Sequence, residues 1–214
     1  MNIAIVANGP QENIPSLSEF SQQIDMWIGA DRGALTLINE GISPNISVGD
    51  FDSLTAEELS LIKKTSHIIK SYPVEKDKTD LELALDCAKT YNPNKITLFG
   101  VTGGRLDHTI VNIHLLLNLL EQKINGIIID KQNILGITLP GKHSILAQSD
   151  YPYISFLPLT KEVTGLTLDG FYYPLIDRTV SFGSSLCISN KLIKNKGTFL
   201  YKTGILLVIK SRDL

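Results

Sequence analysis

Residues 46–53 read ISVGDFDS, a short β-prone run and one glycine, followed by two aspartates that flank a phenylalanine. The apolar run predicts a buried strand, because it is short and bounded by a glycine. In extended backbone Asp50 and Asp52 would share one face, with Phe51 turned inward. An apolar run that ends in acids recurs along the first 130 residues, so this stretch predicts how that part of the chain is built.

Strand-like runs alternate with helical periodicity through the N-terminal part of the chain. The apolar runs that predict strands lie at residues 3–7, 26–28, 46–48, 66–71, 95–99 and 127–129. Apolar side chains at helical spacing predict helices after Gly33, over 81–88 and over 106–120. Strands that alternate with helices favour a mostly parallel sheet with helices on both faces. We therefore expect an α/β domain over residues 1–130.

The pattern changes after residue 130. Short β-rich runs, separated by glycine and proline, lie at residues 143–147, 153–157, 163–168, 186–189, 198–201 and 205–210. Short strands with turn signals every eight to twelve residues or so are typical of an antiparallel sandwich or barrel. We expect residues 131–214 to form an all-β domain, an antiparallel β-sandwich.

Composition excludes several classes of protein. Lys and Arg total 20 against 22 Asp and Glu in 214 residues, a net charge of -2, so a nucleic-acid partner is not expected. No apolar stretch approaches the length of about 18 residues that spans a membrane. Cys87 and Cys187 match no metal or redox spacing, and residues 1–10 lack the basic segment of a signal peptide. The expected location is the cytoplasm.

Acids follow one predicted strand after another. They are Asp31, Asp50, Asp52, Asp77, Asp80 and Asp107. In an open parallel sheet, ligands bind outside the carboxyl ends of the strands, so these acids would converge on one edge. Clustered carboxylates need a cation or basic neighbours, and Arg32, Lys76, Lys78 and Arg105 are interleaved with them. This combination predicts a site for Mg²⁺ and phosphate.

Simpler interpretations exist for each residue taken alone. An Asp-x-Asp pair is often a solvated turn, and Asp80 and Asp107 could cap the helices that follow them. Residues 103–104 could be only a tight glycine turn, and His108 and His114 could be packed or surface imidazoles. None of these explains why acids recur at successive strand ends. The familiar phosphate-binding glycine loops and the Gly-x-Ser-x-Gly elbow are absent from the sequence.

Four stretches in register resemble the bacterial-type thiamine pyrophosphokinase (thiamine diphosphokinase) family. They are GADRGAL (29–35), VGDFDS (48–53), KDKTDLELAL (76–85) and FGVTGGRLDHTIVNIHLL (99–116), with SLCISN (185–190) in the β-rich tail. The resemblance covers essentially the whole chain. It implies an α/β catalytic domain that binds nucleotide and Mg²⁺, and a β-sandwich that binds thiamine and dimerises. It also implies transfer of a pyrophosphoryl group from ATP to the hydroxyl of thiamine, giving thiamine diphosphate and AMP.

The resemblance assigns roles to individual residues. The magnesium-associated acids would be Asp50, Asp52 and Asp80, which with Arg105 form the catalytic set. The surroundings of ATP would be Asp31, Lys78, Thr79, Arg105, Asp107 and His108. Ser189 and Asn190 would contact thiamine, in a homodimer whose active site is shared between subunits. The chain departs from the family at one point: animal relatives stack a tryptophan on thiamine near the last strand, where this chain has the aliphatic residues 205–207 (ILL).

The expected chemistry is in-line attack of the thiamine hydroxyl on the β-phosphorus of ATP. Lys78 and Arg105 would hold the transferring group, with positioning and electrostatics supplying most of the acceleration. Two alternatives remain open: a γ-phosphate kinase of a small alcohol, which would release ADP, and a sensor that binds nucleotide or thiamine without turnover. The complete acid set argues against the sensor, because binding alone does not require so much clustered charge.

Overall fold

The structure, a computed structural model, describes residues 1–213. The chain divides into two compact units, Met1–Lys131 and Gln132–Leu214. No helix in the described part of the chain is long and apolar enough to cross a membrane.

The N-terminal unit is a six-stranded parallel sheet with four α-helices. Its strands are β1 (Asn2–Val6), β2 (Met26–Ala30), β3 (Ile46–Gly49), β4 (Ile68–Ser71), β5 (Lys95–Phe99) and β6 (Asn125–Ile129). Its helices are α1 (Gly33–Asn39), α2 (Ala56–Thr65), α3 (Asp80–Lys89) and α4 (Leu106–Glu121). The strand order is β4-β3-β2-β1-β5-β6, with every neighbouring pair parallel. The predicted α/β architecture is confirmed.

The central strands are buried on both faces, which explains their nearly continuous apolar sequences. Ile3, Ile5, Ile96 and Leu98 are fully buried in β1 and β5. Helix α1 approaches the sheet closely at its first residue, Gly33. Only glycine fits there, because a Cβ would collide with the carbonyl oxygen of Val6. The apolar sequences of the central strands therefore reflect the burial of side chains on both faces of the sheet.

The strand order creates a crevice. From β1 the chain builds outward through β2, β3 and β4, then returns to add β5 and β6 on the other side of β1. The loops that leave β1 and β5 therefore diverge at the carboxyl edge of the sheet. Such a switch point is where open α/β sheets bind ligands.

The C-terminal unit consists of antiparallel strands. They are β7 (Asn133–Thr138), β8 (Gly141–Leu146), β9 (Tyr153–Pro158), β10 (Glu162–Asp169), β11 (Leu175–Ser181), β12 (Lys196–Tyr201) and β13 (Leu206–Ser211). They pair in the orders β7-β13-β9 and β11-β10-β12-β8. One buried cluster joins side chains of both sets, with the Phe156 ring 5.0 Å from Phe199 and 5.5 Å from Phe171. The expected sandwich is confirmed.

The strand predicted over residues 186–189 is wrong. Leu186 and Ile188 are exposed while Cys187 between them is buried, and this alternation imitates a half-buried strand. The segment is a loop that touches its neighbours at single points, including the Phe156 N–H bonded to the Cys187 carbonyl. Strands β7 and β11 were not predicted, nor was helix α2.

Candidate active site

A cleft of about 960 Å³ opens in the N-terminal unit at the carboxyl edge of the sheet. Its walls come from the loops after β1 and β5, from α1 and α2, and from the first residues of α3. Of the predicted site residues, those that line it are Asp31, Thr79, Asp80, Arg105 and His108. Asp50, Asp52, Lys78 and Asp107 are not among the lining residues. The structure thus gathers acids and a guanidinium from separate loops into one space.

Asp31 has a carboxylate oxygen that the protein leaves unused. Its Oδ2 accepts a hydrogen bond from Ser53 Oγ at 3.2 Å, while its buried Oδ1 has no hydrogen-bond partner among residues 1–213. Burial raises the pKa of Asp31, and the nearby carboxylates of Asp80 and Asp50 raise it further. A buried oxygen without a partner is costly, so this atom is available to a ligand or a cation.

Asp50 and Asp80 converge on a single ammonium group. Lys76 Nζ lies 2.6 Å from Asp50 Oδ2 and 2.9 Å from Asp80 Oδ1. The three side chains are 13%, 11% and 27% exposed, in the order Lys76, Asp50, Asp80. The hydrogen bond from Lys76 lowers the pKa of Asp50. Burial alone would lower the pKa of Lys76, but its bonds to Asp50 and Asp80 raise it above the ordinary value, so this ammonium is charged at neutral pH.

The expectation that Asp50 and Asp52 share a strand face is wrong. Phe51 has a φ of 58°, in the left-handed region, so the chain turns immediately after β3. Asp50 Oδ1 accepts a hydrogen bond from the Asp52 N–H at 3.2 Å, while the side chain of Phe51 is buried against Ala34 and Ile62. The buried ring anchors a tight turn, with Asp50 partly enclosed and Asp52 exposed.

The start of α3 presents Asp80 through a capping box. Thr79 is the N-cap, and its hydroxyl accepts the Glu82 N–H while Glu82 accepts the Thr79 N–H. Asp80 is therefore the first residue of the helix rather than its cap, at the end where the helix dipole favours negative charge. Lys78 Nζ pairs with Asp86 Oδ2 at 2.6 Å, further along the helix.

The loop after β5 carries an exposed ion pair. Gly103 and Gly104 have φ values of 80° and 63°, the tight turn that was one interpretation of this pair. Arg105 Nη2 lies 2.6 Å from Asp107 Oδ2, with side chains 74% and 63% exposed. The Arg105 hydrogen bond, with the His108 N–H, lowers the pKa of Asp107 to about 2. This guanidinium is fully charged and open to an incoming anion.

Several cleft residues were not predicted from the sequence. They include Asn8, Gln11, Thr36, Asn39, Glu58 and Asn112. Gln11 Nε2 donates to Thr36 Oγ1 at 2.7 Å, and the buried Asn112 Nδ2 donates to the Val101 carbonyl at 2.8 Å. One signal was available, because the Asn-Gly-Pro turn after β1 ends at the same sheet edge as the acids.

In the C-terminal unit the predicted pair Ser189 and Asn190 divides into two roles. Ser189 is exposed in the left-handed conformation, with a φ of 56°. Asn190 is 2% exposed, and its amide is already engaged. Its Oδ1 accepts the N–H groups of Tyr173 and Lys191, and its Nδ2 donates to the Tyr173 carbonyl. Asn190 therefore joins two loop segments of its own unit.

The donor set suits a hard divalent cation with few protein ligands. Within residues 1–213, no three His, Cys, Asp or Glu side chains come close enough together to hold a metal by themselves, so Asp50, Asp52 and Asp80 do not form a closed cage. Mg²⁺ does not require one, because it binds through one or two carboxylates plus phosphate and water. Asp50 and Asp80 already converge on one positive charge, and Asp31 Oδ1 adds an unused oxygen nearby.

Comparisons with known proteins agree over the whole chain. Two family models match, "Thiamin pyrophosphokinase, catalytic domain" over residues 17–128 and "Thiamin pyrophosphokinase, vitamin B1 binding domain" over 142–206. Thiamine pyrophosphokinase of Bacillus subtilis is 44% identical over 211 residues, 99% of each chain. The crystal structure of the Bacillus subtilis enzyme superposes with a TM-score of 0.95, covering 100% of both chains. A family protein from Enterococcus faecalis is 31% identical, with a TM-score of 0.91 over 100% of both chains.

Proposed function

The chain belongs to the thiamin pyrophosphokinase family, and we infer that it transfers a pyrophosphoryl group from ATP to the hydroxyl of thiamine, giving thiamine diphosphate and AMP. The observation that carries this inference is similarity over the full length, both in sequence and in fold, to an enzyme of that name. Neither a γ-phosphate kinase of another alcohol nor a sensor without turnover has support from these comparisons.

The reaction exchanges one phosphorus–oxygen bond for another. The hydroxyl oxygen of thiamine bonds to the β-phosphorus, the bond from that phosphorus to the α–β bridging oxygen breaks, and AMP leaves with that oxygen. The hydroxyl proton passes to solvent. Arg105 lies open at the cleft and binds phosphate oxygens, while the N-terminus of α3 adds its positive dipole end. Fixed charges that favour the dispersed negative charge of the transition state supply most of the acceleration.

The metal we assign to this site is Mg²⁺, held by Asp50, Asp52 and Asp80. When bound, it neutralises charge on the phosphate oxygens. What supports the assignment is the all-oxygen donor set, the convergence of Asp50 and Asp80 and the unused Asp31 Oδ1. Asp52 is exposed at the same turn, where its carboxylate is accessible from solvent.

We assign the ATP-binding role to the residues around the cleft. They are Asp31, Lys78, Thr79, Arg105, Asp107 and His108. Four of them line one cleft, which supports the assignment. Lys78 and Asp107 lie outside the lining, each in an exposed ion pair, and an ion pair of this kind exchanges its partner for a ligand at little cost.

Thiamine binding is assigned to Ser189 directly and to Asn190 through the loops that it joins. Ser189 is exposed, so its hydroxyl is free to meet a ligand, whereas the buried Asn190 amide is bonded to backbone. Residues 205–207, where animal relatives have a tryptophan, are aliphatic in this chain and offer no aromatic face to thiamine. Leu206 and Leu207 are buried. The sole tryptophan, Trp27, is buried in β2, stacked near Phe99.

The active enzyme is proposed to be a homodimer whose two copies share each active site. Support comes from large hydrophobic side chains exposed on one short segment of the C-terminal unit: Tyr172, Tyr173, Ile176, Phe182, Leu186, Ile188 and Ile193. Exposed apolar side chains in such number are typical of a surface that another chain covers. A second copy of the same chain fits, because two-fold dimers are the commonest assemblies.

Mixing two inactive variants tests the shared site. Asp52→Asn and Asn190→Ala chains refolded together pair at random, so about half of the dimers are mixed. If each site uses both subunits, one site of every mixed dimer is free of lesions, and about a quarter of wild-type activity returns. No recovery, with mixed dimers confirmed by native mass spectrometry, would place each site within a single chain.

The cytoplasm is the compartment we propose. Cys87 and Cys187 are both free thiols and both buried, which suits a reducing environment. Burial raises the pKa of Cys187 to about 11, so its thiol is unreactive at neutral pH.

Identification of the nucleotide product tests the function itself. The protein is incubated with thiamine, ATP and Mg²⁺, and the products are separated by ion-exchange chromatography. AMP and thiamine diphosphate should form in equal amounts. Formation of ADP and thiamine monophosphate would show that the enzyme transfers the γ-phosphate instead of a pyrophosphoryl group. The absence of any product would favour a sensor. Omission of Mg²⁺ from a parallel incubation tests the proposed metal.

A further inference from the structure

Lys76 is turned inward from a loop that otherwise faces solvent. Of residues 73–79, all of which the structure describes, each is exposed except Lys76. A lysine usually extends its charge into water, so this orientation needs a cause. The cause is its pair of carboxylate partners, Asp50 after β3 and Asp80 at the start of α3. One loop side chain thus ties two separate elements together.

The charges show what this ammonium does. Asp50 and Asp80 are mostly shielded from water, and two such carboxylates in close approach repel each other. The single charge of Lys76 offsets that repulsion, so the two carboxylates stay together before any substrate arrives. A divalent cation bound to the same oxygens would place two positive charges beside the ammonium. Like charges at that distance repel strongly in a partly buried site, so the two cations exclude each other.

We propose that Lys76 is a built-in counter-ion that holds Asp50 and Asp80 in place in the nucleotide-free enzyme and leaves them when the divalent cation binds. This inference rests on the metal site of the proposed function. The loop allows the movement, because residues 72–79 form neither helix nor strand. Lys76 is therefore a positioning residue, which preserves the site between turnovers and weakens metal binding while no nucleotide is present.

The first test measures Mn²⁺ binding to the nucleotide-free protein, following free Mn²⁺ by electron paramagnetic resonance. Lys76→Met should bind Mn²⁺ at least about tenfold more tightly than wild type, since no internal cation competes. Lys89→Met is the matched control, because Lys89 is also largely enclosed at 21% exposure and pairs with an acid of α3, yet lies outside this cluster. Its Mn²⁺ affinity should equal that of wild type.

A purely structural salt bridge would behave differently. Its loss would loosen the site, and Lys76→Met would bind Mn²⁺ equally or more weakly, which overturns the proposal. Circular dichroism confirms that the variant is folded. Lys76→Gln, which removes the charge but keeps a hydrogen-bond donor, should also bind more tightly if charge competition is the cause.

The second test uses the wild-type protein and does not depend on a variant folding. Amine acetylation of Lys76, followed by peptide mass spectrometry, should be slow without metal and at least several-fold faster in Mn²⁺, since the amine is then released. The exposed Lys202 reports any general change in reactivity. An unchanged Lys76 rate at Mn²⁺ concentrations that saturate binding overturns the proposal. If Mn²⁺ binds to neither the wild type nor Lys76→Met, the proposed metal site is wrong and the inference about Lys76 fails with it. The proposed reaction is tested independently, by the products formed from ATP and thiamine.

Discussion

The acid loops of the N-terminal unit and the SLCISN segment of the C-terminal unit use their polar groups in opposite ways. In the acid loops, Asp31 Oδ1 is left without a partner among the described residues, and Asp50 and Asp80 share one lysine. In SLCISN, the Asn190 amide is buried and bonded to the backbone of Tyr173 and Lys191.

The two cases show how the surroundings of a polar residue decide its role within a motif. A buried polar group that the protein satisfies internally stabilises the fold, because its loss leaves partners unpaired. A group left unsatisfied, or held beside like charge, costs stability and remains available to a ligand. Substitutions in the acid loops should therefore affect turnover with little change in stability, whereas substitution of Asn190 should lower stability and, through the loops that this residue joins, abolish turnover as well.

The largest effect is expected at the acids. Asp80→Asn should lower kcat by about a hundredfold or more, the scale of losing one charge-stabilising group, while the free energy of unfolding stays near wild type. Steady-state assays with saturating substrates measure kcat, and urea unfolding measures stability. Asp150→Asn, at an exposed loop position, is the control and should retain full turnover. A near-normal kcat for Asp80→Asn would mean that Asp80 has no role in turnover and serves only at the start of α3.

At Asn190 the comparison predicts the reverse. Asn190→Ala should lower the free energy of unfolding by about 2 kcal/mol, because it removes a buried amide and leaves the partly buried backbone N–H groups of Tyr173 and Lys191 without their acceptor. Urea unfolding followed by circular dichroism gives this value. Unchanged stability together with lost thiamine binding would mean that the amide contacts thiamine directly, and the distinction between the two regions would fail.

A smaller effect is expected at the exposed Arg105. Arg105→Met should raise the KM for ATP about tenfold, as a charge-assisted contact to phosphate is lost. Arg105→Lys should recover part of the loss, because it keeps the charge without the planar fork. The defect should shrink at high salt, since exposed charges are screened, whereas the Asp80→Asn defect should not. An equal salt dependence of the two defects would contradict the argument that the exposed Arg105 is screened and the largely enclosed Asp80 is not.

The smallest effect is expected at Ser189. Ser189→Ala should raise the KM for thiamine about threefold, the scale of one neutral hydrogen bond, with stability unchanged. A comparison of KM values for thiamine and for ATP measures it, because only the former should change. A stability loss as large as that of Asn190→Ala would show that the hydroxyl is structural as well.

Much of the N-terminal unit could be predicted from local sequence. Strands β1, β2, β3 and β5 and helices α3 and α4 fall where periodicity predicted them. Helix α2 was missed, although Thr55 and Glu58 form a capping box that marks its start. Its moderate amphipathicity and many charged residues obscured the apolar face, and Ile62 is its sole fully buried side chain within residues 1–213.

The C-terminal unit was predicted in class but less well in detail. Strand β11 went unnoticed because its residues are mostly exposed, as expected of an edge strand, so they lack the alternation that predicts a half-buried one. The loop at residues 186–189 has that alternation but no continuous strand neighbour. Pairing between distant segments decides such cases, and no local pattern reports it.

Local sequence is sufficient to specify the alternation of strands and helices and the placement of acids at successive strand ends, because burial and strand polarity are encoded locally. The contacts that those acids make depend on the folded chain. The left-handed turn at Phe51 separates Asp52 from Asp50, the loop before α3 brings Lys76 between Asp50 and Asp80, and strand packing buries the Asn190 amide. Hydrogen bonding and ion pairing depend on which groups meet in space, and distances of about 3 Å between residues far apart in sequence arise only in the folded chain.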